Sequence, residues 1–240
     1  MPKRSTPRPT LWQFLQGKQS RGKQNYLTLG AISIAMTIGV SITWSTEKTF
    51  AAPKASTLSE ILKEGLAKIN RGQPEQALID ARKAIELNDK SAEAYFLLGR
   101  AQQDIGLKSD ALSSYSKAIE LNPAYTAAYS NRGLVKGSLS DIKSAVADFN
   151  RALELDRTFA AAYLNRGVAV GAMGDSKKAI ADFNSAIKAN PNYKDAYENR
   201  GITKEMTGDI KGACSDWKKA ASLGSIQARG WHSAQCNGIF

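Results

Sequence analysis

The chain is poor in the residues that build most catalytic and metal centres. Its 240 residues include one histidine, His232, and two cysteines, Cys214 and Cys236. A zinc site needs three or four such ligands at close spacing, so no metal is expected. There is no phosphate-binding glycine loop, no nucleophile motif and no cluster of His, Asp and Glu. The sequence therefore argues against an enzyme, a cofactor or a small-molecule substrate. Acids are scarce in one region only. Residues 1–57 hold 8 Lys/Arg against 1 Asp/Glu, while residues 58–240 hold 25 against 21. Most of the formal charge of +11 thus belongs to the leader. The remainder is nearly balanced, which argues against a phosphate-binding face and hence against nucleic acid as a partner.

Charge is absent altogether between Gln24 and Thr46. Residues 26–45 are moderately apolar, and Tyr26 to Trp44 at a helical rise of about 1.5 Å per residue approaches the roughly 30 Å of a bilayer core. Lys3, Arg4, Arg8, Lys18, Arg21 and Lys23 precede the stretch with no acid among them. Positive charge stays on the cytoplasmic side, so the bulk of the chain is expected on the far side, in a periplasm or lumen. The divisions expected are a basic leader at 1–25, a membrane anchor or signal core at 26–45 and a small-residue linker at 46–57. Ala51, with Thr49 two residues before it, permits signal cleavage, so release and retention both remain open.

What dominates the rest is a period of 34. It carries Gly65, Gly99, Gly133, Gly167 and Gly201, then Ala77, Ala111, Ala145, Ala179 and Ala213, and then Ala84, Ala118, Ala152, Ala186 and Ala220. Tyr95, Tyr129, Tyr163 and Tyr197 keep it, as do Tyr115, Phe149, Phe183 and Trp217; the first unit lacks both aromatics. Each unit reads as two helices, such as 126–138 and 142–155, separated by Gly72, Gly106, Ser140, Gly174 or Gly208. Glycine tolerates the positive φ that ends a helix. Asp141, Asp175 and Asp209 follow as N-cap or first-turn acids. Asn122-Pro123 and Asn190-Pro191 close units, because proline cannot continue a helix. The glycine of the first helix is expected to face the alanines of the second, with the aromatics at the edges of that contact. One hairpin cannot bury its apolar face alone, so units must stack.

These residues and spacings resemble the tetratricopeptide-repeat (TPR) family. The resemblance covers units 58–91, 92–125, 126–159, 160–193 and 194–227, followed by a cap at 228–240. It implies an all-α fold, a right-handed superhelical solenoid of about five helix-turn-helix repeats with a C-terminal capping helix. It also implies protein or peptide binding in a groove lined by the first helices, commonly as a scaffold or assembly factor. Membrane-anchored TPR proteins of photosynthetic bacteria that serve photosystem assembly share this layout; a soluble chaperone-like TPR protein is the alternative.

Asn131, Asn165 and Asn199 should stack along that groove, one per layer. Asparagine offers a donor and an acceptor, so it can pair with a peptide group on both sides. This resembles the asparagine ladder of some TPR superhelices; bonding to a neighbouring helix is the alternative. Leu134, Leu164 and Val168 are expected on the groove floor beside them, with Asp195, Glu198 and Glu205 at an acidic end. The carboxylate clamp of other TPR proteins wants basic residues where Ser130, Leu164, Ala161 and Asn165 stand, which disfavours that ligand. Arg132, Arg166 and Arg200 have Asp148, Asp182 and Asp216 sixteen residues later, while unit two has Leu98 and Ser114. This joint appearance predicts intra-repeat ion pairs rather than ligand-binding arginines. Unit one, with Glu64 and Asp80, breaks the rule.

Cys214 lies 10 residues before Gly224 and Cys236 lies 12 after it. In an antiparallel helix pair about that turn the two come level, within disulfide reach. A bond would persist in an oxidising compartment. Two buried thiols are the alternative.

Overall fold

The computed structural model describes residues 56–236, all of whose regular structure is α-helical. Five helix pairs follow one another: α1 (Leu58–Asn70) with α2 (Pro74–Leu87), α3 (Ala92–Asp104) with α4 (Lys108–Leu121), α5 (Thr126–Ser138) with α6 (Ile142–Leu155), α7 (Ala160–Ala172) with α8 (Ser176–Ala189), and α9 (Lys194–Met206) with α10 (Ile210–Ser222). A last helix, α11 (Ile226–Gln235), packs on α10. Each first helix also touches the first helix of the next pair, which makes these helices the inner layer of a solenoid. Among the described residues no helix is long and apolar enough to cross a membrane. The leader at 1–25 and the apolar stretch at 26–45 lie outside them.

Local chemistry sets the helix ends. Thr57 and Glu60 form a reciprocal capping box at the start of α1, and Ser91 caps α3. Asp141, Asp175 and Asp209 accept from the amides of Ser144, Lys178 and Gly212 at the starts of α6, α8 and α10. The carboxylate or amide oxygens of Asn88, Asn122, Asp156 and Asn190 then accept from the backbone two residues on, turning the chain into the next unit. Between the helices of a unit the chain passes through the left-handed region. Ser140 does so at φ 66°, where the other units have glycine. The same pair of hydrogen bonds closes its turn, Ser140 N–H to Gly137 O and Asp141 N–H to Lys136 O.

The alanine series is fully buried, and the glycines have a more specific role than the sequence indicates. They do not mainly face alanine with aromatics at the edge. A Cβ on Gly99 would stand 2.7 Å from the Tyr115 ring, and one on Gly133 or Gly167 equally close to Phe149 or Phe183. The aromatic ring of the second helix lies directly on the glycine of the first. In unit one Ala81 stands where the ring would be, and Leu97 of α3 reaches back to cover Gly65. The capping helix begins at Ile226 with Ser225 as its N-cap, because Gly224 at φ 92° makes a tight turn in place of the longer inter-repeat loop.

Candidate protein-binding face

The arginines are committed to the scaffold. Arg132 donates through Nε and Nη2 to both oxygens of Asp148, at 2.9 and 2.8 Å. Arg166 holds Asp182 in the same way at 3.0 and 2.7 Å, and Arg200 holds Asp216 at 2.8 and 2.5 Å. Each has a further tie backwards that the ion-pair reading overlooks. Nη1 of Arg132 donates to Ser116, that of Arg166 to Asn150 and that of Arg200 to Asn184, all on the second helix of the preceding unit. The guanidinium also lies 5.6, 5.6 and 5.5 Å from the ring centres of Tyr129, Tyr163 and Tyr197. Hydrogen bonding to Asp148 and Asp182 holds Arg132 and Arg166 protonated beyond the ordinary guanidinium range. The arginine is therefore an inter-repeat tie as well as an intra-repeat one. Its signal in the sequence was the recurrence of Ser116, Asn150 and Asn184 at the same 34-residue period.

Unit one resolves on the same terms. Asp80 takes its cation from Lys68, 2.6 Å away and four residues beyond the arginine position, while Glu64 pairs with Arg71. Unit two keeps this geometry in neutral form, with Ser114 donating to Gln102 at 2.6 Å.

The asparagines divide. Asn131 donates to Ala127 O and Asn199 to Asp195 O, each four residues back in its own helix. Asn165 makes no such bond, and its half-buried side chain keeps both functions of its amide. Leu134 is 39% exposed. Leu164 and Val168 are corrections: at 7% and 5% exposure they pack with Phe183, Ala186 and Ala196 rather than lining an open floor. The next unit closes over them, since a solenoid interface buries apolar side chains of this size in preference to leaving them wet. Glu198, expected at an acidic end of the groove, is almost wholly buried as well.

At the C-terminal end, Cys214 and Cys236 are joined, with Cα atoms 5.7 Å apart. The bond lies in a cluster with Trp217, Ala220 and Ala228, and Trp231 packs on Trp217 at 5.8 Å between ring centres. Trp231 and the cap therefore shield the face that a sixth repeat would otherwise cover. Burial pushes the Tyr125 and Tyr193 hydroxyls at the inter-unit loops up to about 12. No cluster of His, Cys, Asp and Glu suited to a metal occurs among the described residues.

Family models described as tetratricopeptide repeat match residues 62–126, 126–159 and 160–193. Comparison with curated proteins gives no match. Among solved structures, that of MamA is 27% identical, covers 69% of this chain and 96% of its own, and has a TM-score of 0.57. PilF of Pseudomonas aeruginosa is 21% identical over 72% of this chain and 78% of its own, with a TM-score of 0.67. YrrB, whose structure is described as that of a TPR protein with an unusual peptide-binding site, is 21% identical over 74% and 92%, with a TM-score of 0.55. The last two likenesses speak for the fold alone.

Proposed function

Because the chain belongs to the tetratricopeptide-repeat family, we propose that it is an interaction scaffold whose first-helix face holds an extended segment of another protein. The observation that carries this reading is Asn165. It sits in the inner layer of helices in the fourth of the five units, with an amide that no side chain or backbone group among the described residues engages, while the neighbouring arginines are all spent on the scaffold. An unpaired amide that is half removed from water favours a ligand that satisfies it. Ala127, Ala161 and Gly171 around this register are small and only partly buried, so a peptide main chain can approach. Asn131, half-buried like Asn165, extends the row by exchanging its own-helix bond for one to that main chain, while Asn199, only 7% exposed, contributes less.

The test uses the partner recovered by cross-linking from native membranes. Replacing Asn131, Asn165 and Asn199 by alanine should weaken binding by more than tenfold, at about 0.5–1.5 kcal/mol per hydrogen bond. Helicity should not change, and Asn165→Ala alone should account for the largest share. Undiminished affinity in the triple variant would return all three to structure.

The proposed setting is the far side of a membrane, with residues 26–45 as anchor or export signal and assembly of a membrane or envelope complex as the task. The support is the six basic residues and no acid ahead of the uncharged stretch. A reporter active only in the cytoplasm, fused after Phe240, should be silent. Strong signal from it would place the repeats on the cytoplasmic side and end this part of the reading.

A further inference from the structure

The ladder of acids on the second helices is completed differently in each unit, and one rung is short of a cation. Asp148 receives Arg132 and also Lys136, whose Nζ lies 2.8 Å away. Asp216 receives Arg200 and also Lys204, at 2.9 Å. Asp80 of unit one is served from the same position by Lys68. In unit four that position is Val170, so Asp182 has Arg166 alone. At this rung a cleft of about 520 Å³ opens between α6 and α8, lined by Val146, Val170, Met173 and Ala181 with Arg166 and Asp182 at its polar end. The neighbouring Lys178 does not fill it, because its ammonium is drawn to Asp175 at 2.9 Å on the exposed rim.

We infer that this cleft receives a lysine side chain from a partner protein, its methylene stem along Val146, Val170 and Met173 and its ammonium on Asp182. The sister units show the chemistry in place: the same acid, already held by an arginine, takes a second cation at 2.8–2.9 Å. The lining suits a lysine, which buries an apolar stem while its head stays charged. At the inner end of the cleft an anion meets the Asp182 carboxylate and finds no free guanidinium, since Arg166 is spent on Asp182 and Asn150, while the Lys178 ammonium is held out at the rim by Asp175. A purely apolar group would leave the second cation position of Asp182 empty. The surface lies on a different side of α7 from Asn165, so it is a second contact region, independent of the peptide groove.

The probe is N-acetyl-lysine N-methylamide, titrated into the full chain, with the norleucine analogue as a control that keeps the stem and lacks the ammonium. Methyl resonances of Val146, Val170 and Met173 report binding. The lysine compound should give saturable shifts at least tenfold tighter than norleucine, and the shifts should fade with added salt. Val170→Lys, which copies units three and five, should lower the apparent affinity of the lysine compound at least tenfold, read at Val146 and Met173. The variant Asn131→Ala/Asn165→Ala/Asn199→Ala should bind it undiminished, which separates this site from the groove. Equal shifts with both compounds, no saturable shift with either, or full binding in Val170→Lys would each overturn the assignment. The comparison of the two compounds on the unaltered chain stands whatever the variant does.

Discussion

Phe149→Ala is expected to remove about 3–5 kcal/mol of folding stability, and Asn165→Leu in the same chain to restore about 1–2 of it. The first figure follows from burial: Phe149 is 2% exposed and its ring lies on Gly133, so truncation leaves a cavity that a rigid helix pair closes only in part. The second follows from unit one, where the same truncation is already present. Ala81 stands at the ring position, and Leu97, sixteen residues later on the next first helix, covers Gly65 from the other side. Asn165 stands sixteen residues after Phe149. A leucine there should reach the space above Gly133 as Leu97 reaches that above Gly65. Urea unfolding followed by helical circular dichroism reads both changes. A double variant no more stable than Phe149→Ala would show that Leu97 does not do this work in unit one.

Loss of the Cys214–Cys236 bond is expected to cost about 3 kcal/mol in the chain-entropy picture, since the two are 22 residues apart. The site amplifies the effect. An end of a solenoid lacks the neighbour that stabilises every inner unit, and α11 is short, held by the Ser225 cap and the contact of Trp231 on Trp217. Without the bond, α11 should separate and expose the Trp217 cluster to water. Thiol titration in denaturant of the protein isolated without reductant should find no free thiol before reduction and two after. Cys236→Ser should lower the urea midpoint, with tryptophan fluorescence changing before helicity does. Two free thiols at the outset would rule the bond out, and an unshifted midpoint would show that packing alone holds the cap.

The repeat itself was legible because its determinants are local and recur. Glycine, alanine and aromatic positions at a period of 34, with turn residues between them, give helix spans of 126–138 and 142–155, which are the limits of α5 and α6. What was not legible depends on how one unit meets the next. Leu164 and Val168 are enclosed between Phe183 and Ala186 of their own second helix and Ala196 of the adjacent unit, a packing that the first-helix pattern alone does not specify. The own-helix bonds of Asn131 and Asn199 are likewise a matter of rotamer, which spacing does not specify. Unit one seemed to break the pairing rule because the rule was framed on one offset. Asp80 finds Lys68 at an offset of twelve instead of sixteen, and the Gln102–Ser114 bond repeats that offset without charge.

The backward ties of the arginines make the joints of the solenoid mechanically unequal. Bending between units two and three, three and four, or four and five stretches a bond from Arg132 to Ser116, from Arg166 to Asn150 or from Arg200 to Asn184 as well as parting apolar contacts. At the joint between units one and two the arginine position holds Leu98, packed among apolar side chains, and the span is bridged by Leu97. Dispersion contacts resist separation but are nearly indifferent to small sliding, whereas a directional bond resists both. The array therefore behaves as a stiff plate of four cross-braced units, two to five, with the first unit as a more compliant N-terminal arm, and that arm is the part nearest the segment proposed to hold it at the membrane.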